Sequence, residues 1–90
     1  MTTSTVDRPK AVAASVKRTG DVWVLVPAGD GEVAVVDELG YEVMQRCDGT
    51  RSCADIAREL TTYHHGQPVD GEAVTEFVTR MRAAGLLDAA

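Results

Sequence analysis

The apolar pattern of this chain changes period once, at Asp37, and that switch limits what the chain can fold into. Before Asp37 the apolar residues come in two short runs, VWVLV at 22–26 and EVAVV at 32–36, joined by the turn sequence PAGDG. Branched and aromatic side chains fit a pleated, half-buried surface, so both runs read as strands. A Gly-rich link this short joins neighbouring strands into an antiparallel hairpin. Thr19-Gly20-Asp21 is a second turn cluster, and residues 11–17 ahead of it supply a more weakly marked first strand. A three-stranded meander is expected.

After Asp37 the spacing becomes helical. Leu39, Val43, Met44 and Cys47 recur at helical intervals behind Asp37, an N-cap type, with Glu38 in the first turn. Asp48-Gly49 stops this helix, because Gly tolerates the left-handed backbone past a helix end. Ser52 and Asp55 approximate a capping box for a second helix with the stripe Cys53, Ile56, Ala57, Leu60 and Tyr63. HHGQP at 64–68 breaks the pattern. Asp70 caps a third helix with the stripe Ala73, Val74, Phe77, Val78, Met81 and Ala84, and Gly85 ends it with Leu86 and Leu87 folding back. Strands first and helices after predict an α+β domain: a three-stranded antiparallel sheet followed by three α-helices packed on one face. Residues 1–10, polar and without period, read as a disordered tail, and residues 11–88 as the single domain that ninety residues allow.

Charge and residue usage exclude several functions. The net charge of −5 argues against duplex nucleic acid, whose binding draws on cationic contacts to phosphate. No run of about 18 apolar residues is present, so no membrane span is expected, and MTTSTVDRPK lacks the apolar stretch of a secretory signal. The cytoplasm is the expected compartment, where two cysteines stay reduced. Cys47 and Cys53, six positions apart in RCDGTRSC, could form a zinc site, a redox pair or a disulfide. Zinc wants a second ligand pair, CxxC chemistry wants a different spacing, and reducing conditions oppose the disulfide. The plain reading is two small apolar residues at a helix junction. His64 and His65 have no nucleophile or paired carboxylate at a recognisable spacing, so they read as helix-end residues. No enzyme, metal or cofactor is expected.

The strand at 32–36 is the more telling feature. A strand at the end of a small meander either packs Val33 and Val35 into the core, with Ala34 and Val36 filling the other side, or leaves an edge open to an added peptide strand. Such an edge can also pair with itself and give a homodimer.

The order and spacing of VWVLVPAGDGEVAVV, RCDGTRS, Ala54-Asp55-Ile56 and the closing Phe77, Met81 and Ala84-Gly85-Leu86-Leu87 resemble the PqqD family over residues 22–87. Members of this family are precursor-peptide recognition elements of pathways that modify ribosomally made peptides. The resemblance implies a winged helix–turn–helix-like fold and a non-catalytic role. It implies that a leader peptide docks as an extra strand on the edge Glu32, Val33, Ala34, Val35 and Val36, in a groove walled by the third helix. Phe77 and Met81 are taken as core, which gives Val74, Thr75, Val78 and Arg82 as the groove side. It further implies delivery to a modifying enzyme, such as a radical S-adenosylmethionine enzyme. Pyrroloquinoline quinone, a lasso peptide or another modified peptide all remain open as the product. A winged-helix DNA-binding regulator is the alternative, opposed by the lack of a basic recognition helix among Arg58, Arg80 and Arg82 against Asp55, Glu59, Glu72 and Glu76.

Overall fold

Three antiparallel strands precede three helices in a computed structural model that describes residues 7–88. The strands are β1 (Ala14–Thr19), β2 (Val22–Pro27) and β3 (Ala34–Val36), and the helices are α1 (Glu38–Gln45), α2 (Cys53–Tyr63) and α3 (Gly71–Ala83). The arrangement is α+β, with the strands in the order β1-β2-β3. Val16 pairs with Leu25 and Leu25 with Ala34; Lys17 pairs with Val24 and Val24 with Val35. Paired residues share a face and successive residues alternate. Trp23, Leu25, Ala34 and Val36 therefore turn toward the helices and join the core. There they meet Val43, Ile56, Leu60, Val78 and Leu86, all buried.

The caps sit where the sequence puts them. Asp37 Oδ1 accepts from Gly40 N at 2.8 Å. Ser52 and Asp55 form a complete capping box. Its hydrogen bonds from Ser52 hold the Asp55 carboxyl below its usual range. Asp70 caps α3. Gly49 and Gly85 take the left-handed φ of +86° and +83° at the turns after α1 and α3.

Three expectations are corrected. Residues 1–6 of the proposed tail lie outside the described residues, but residues 7–10 are packed rather than loose. Pro9 is among the most buried side chains. The segment threads between the α1–α2 turn and the C-terminal stretch: Gly49 N donates to Pro9 O, Ala11 N to Cys47 O, Val12 N to Leu86 O and Asp88 N to Lys10 O. Arg82 seals it with two 3.0 Å bonds to Asp7. Tethered in this way, residues 11–13 are not strand, and β1 begins at Ala14. Next, α1 ends at Gln45, and its inward face is Gly40, Glu42 and Val43, while Leu39 is exposed. Gly40 is inward because a Cβ there would stand 2.9 Å from Phe77 Cε1 and 3.0 Å from Val36 Cβ. Finally, Tyr63 and Ala73 are exposed although both lie on expected apolar stripes.

The cysteines are free, Cys47 buried and Cys53 partly so. Cys47 Sγ donates to Val43 O at 3.2 Å. Burial, then the neighbouring Cys53, pushes the Cys47 thiol up to about 12. Between the ordinary thiol value of 9.0 and about 12 the unfolded chain releases this proton before the folded one does. The thiol's contribution to stability is thus complete below pH 9 and lost as pH rises through that window.

Two outcomes follow. Gly40→Val should destabilise the fold by about 1–3 kcal/mol through overpacking against Phe77 and Val36, read from the urea midpoint. At pH 8, iodoacetamide should alkylate Cys53 in the folded protein and reach Cys47 only on unfolding; equal rates in the native state would contradict the burial of Cys47.

Candidate functional site

The sheet has two edges, and they differ in chemistry. β1 carries Lys17 and Arg18, the kind of charge that discourages another strand from adding. β3 is AVV, with no charge and no proline. Val33 and Val35 are 60% and 62% exposed on the side away from the helices, while Val36 is buried on the inner side. Of the two alternatives, core packing of Val33 and Val35 is reversed, because register places Ala34 with Leu25 and Val36 with Trp23. β3 lies last in the sheet order, and no strand among the described residues covers its outer edge.

α3 runs beside that edge. At its C-terminal end Ala84 O accepts from Glu32 N at 2.7 Å. Toward its N-terminal end the Phe77 ring lies against Gly40, which in turn touches Val36. The α3 face next to β3 is therefore Ala73, Phe77, Arg80 and Ala84, one helical stripe. Beyond Val36, this stripe and the start of α1 enclose a cleft of about 270 Å³, walled by Leu39, Val69, Ala73 and Phe77 with Asp37 and Asp70 at its rim. The Arg80 guanidinium lies 5.8 Å from the centre of the Phe77 ring. Arg80 makes no ion pair among the described residues.

The expected groove residues divide accordingly. Of the expected edge residues, Ala34, Val35 and Val36 form β3, while Glu32 and Val33 precede it outside the ladder. Val78 is 1% exposed and belongs to the core; Val74, 2% exposed, is also core and sits at the floor of the cleft. Thr75 is exposed and its hydroxyl donates to Gly71 O, away from the cleft walls. Arg82 lies on a different side of α3, engaged by Asp7 and Asp88 O; its hydrogen bond to Asp7 keeps its guanidinium more firmly charged than usual. Phe77 read as core from its spacing and is buried, while lining the cleft; Ala73 and Leu39 also read as core and are exposed there. Their apolar character was legible, but the cleft that leaves Ala73 and Leu39 accessible was not.

Other polar groups brace the site. Buried Glu42 on α1 and His64 at the end of α2 lie 2.7 Å apart, carboxylate to ring nitrogen. The pair ties α1 to the loop that leads into α3. Thr61 Oγ1 accepts from Val69 N in the same loop. Trp23 stacks on Tyr41 with centroids 3.7 Å apart and donates to Glu38. Asp48 is held below the usual carboxylate range, first by Thr50 and then by Arg51. Among the described residues, no cluster of metal-ligating side chains forms, and no helix is long and apolar enough to cross a membrane.

Comparison with known proteins meets this geometry. The family model "Coenzyme PQQ synthesis protein D (PqqD)" matches residues 22–87. Two relatives from Xanthomonas oryzae pv. oryzae, strains KACC10331 / KXO85 and MAFF 311018, each named "PqqA binding protein", are 38% identical over 97% of this chain and 98% of their own length. A third, from strain PXO99A, is 37% identical over the same share. No solved structure matches. With a family model covering most of the chain and relatives of this identity along nearly all of it, the chain belongs to the PqqD family.

Proposed function

We propose that this chain is a non-catalytic peptide carrier. It takes the leader of a ribosomally made precursor peptide as a fourth strand on β3, against the Ala73–Phe77–Arg80 face of α3, and presents it to a modifying enzyme. The observation that carries this reading is the uncharged, uncovered edge of β3 lying beside an apolar cleft, in a chain whose other edge is guarded by Lys17 and Arg18.

The physics suits a carrier. Main-chain hydrogen bonds to an edge supply affinity that depends little on sequence, and pockets for alternate side chains supply selectivity. Ordering a flexible leader has an entropic cost, so the complex is of moderate affinity and releases its cargo. The name of the relatives makes PqqA the first peptide to test, and the family description supports a role in coenzyme PQQ synthesis. The receiving enzyme in this reading is a radical S-adenosylmethionine enzyme, and the setting is the cytoplasm, where Cys47 and Cys53 stay reduced.

The deciding experiment is a backbone-amide NMR titration with PqqA. Shifts should gather at residues 32–37 and at Ala73, Phe77 and Arg80; their absence in a folded protein would overturn the reading, and the same shifts on adding duplex DNA would favour the regulator. Two variants sharpen it. Val35→Pro removes a main-chain donor from the edge strand and should abolish peptide binding. Unchanged affinity in a folded Val35→Pro protein rejects strand addition. Ala73→Asp, at an exposed position in the cleft, should weaken binding about tenfold or more, since it would put a charge against an apolar contact.

A further inference from the structure

The charge of this chain is unevenly placed. Residues 8–20 hold four cations and no carboxylate, in a protein of net charge −5. Lys17 and Arg18 of β1 form no ion pair among the described residues. Arg18 donates to Gly20 O at 3.3 Å and lies over the Trp23 ring at 5.5 Å, which leaves the outer nitrogens of its guanidinium uncommitted.

Charge alone would guard the edge, but β1 also has apolar surface. α1 packs on β2 and β3, so the inner face of β1 overhangs the helices. Under the overhang is a cleft of about 200 Å³ walled by Val12, Ala14, Val16, Leu25, Tyr41 and Met44. Val12 and Val16 are 39% and 48% exposed. Val16 and Arg18 are two residues apart on the strand and so share this face. An uncovered apolar cleft with the uncommitted Arg18 guanidinium on the same strand face is a surface for a partner rather than a solvated edge.

We propose that the β1 cleft docks an acidic segment of the modifying enzyme, with an apolar side chain between Val12 and Val16 and a carboxylate on Arg18. The inference rests on the carrier function proposed above. Two features select the occupant. The Arg18 guanidinium favours an acidic partner by complementarity. β1 lies across the sheet from β3, so this surface stays free when the leader is bound, as delivery requires.

The test titrates the purified radical S-adenosylmethionine enzyme of the pathway into the carrier, with and without PqqA, at low and high salt. Val16→Asp and Arg18→Glu should each weaken the enzyme complex about tenfold or more and leave PqqA affinity unchanged, and wild-type affinity should fall as salt rises. Enzyme affinity unchanged in both variants would overturn the proposal. Sedimentation equilibrium provides the other decisive arm: a wild-type dimer that Val16→Asp dissociates would assign the cleft to a second copy and overturn it equally. If PqqA fails to bind the wild type, the carrier function falls by itself, while the enzyme titration still reads the β1 surface.

Discussion

The approach of Gly31 to Gly85 decides where everything else can go. A Cβ on Gly31 would stand 2.6 Å from Ala84 O, and one on Gly85 would stand 2.9 Å from Gly31 Cα. Only with glycine at both positions can Glu32 N reach Ala84 O at 2.7 Å. That bond matters because β3 makes just three pairs with β2. A strand so short depends on neighbours other than its ladder. Clamped to the end of α3, it holds its course beside the helix. The clamp thereby fixes where the end of α3 stands relative to the start of β3.

The opposite end of the molecule is closed by a different device. Residues 9–12 exchange main-chain hydrogen bonds with the α1–α2 turn on one side and with residues 86–88 on the other. The start and end of the described chain are locked together around Pro9 and Arg82. In a domain this small, where burial only narrowly outweighs chain entropy, such ties let the sheet keep one edge free. Glu42 and His64 serve a similar purpose inside, since a buried carboxylate needs a partner and this one joins α1 to the approach of α3.

Most of the element order was legible because it rests on local chemistry. Asp37, Ser52 and Asp70 cap three helices where side-chain oxygens can reach the free N–H groups of the first turn. Gly49 and Gly85 mark turns because they need positive φ. The strand pair was legible from its branched residues. What escaped was every feature set by long-range contact. AVAASVK gave no sign that its first residues are claimed by Cys47 and Leu86. Polar residues 7–10 gave no sign that Pro9 is buried. On α3, periodicity marks an apolar stripe wider than the core needs, and it cannot tell Val78, which is sealed, from Ala73, which is exposed beside a cleft.

The sequence by itself determined the secondary structure, the α+β class and the family, since propensity, capping and turn chemistry act over a few residues. Only the tertiary structure decided which side of β3 is solvent, which stripe of α3 faces it, and that the inner face of β1 is left uncovered. Those are questions of register and packing. A shift of one position along a strand or helix exchanges core for surface while leaving the local pattern almost unchanged.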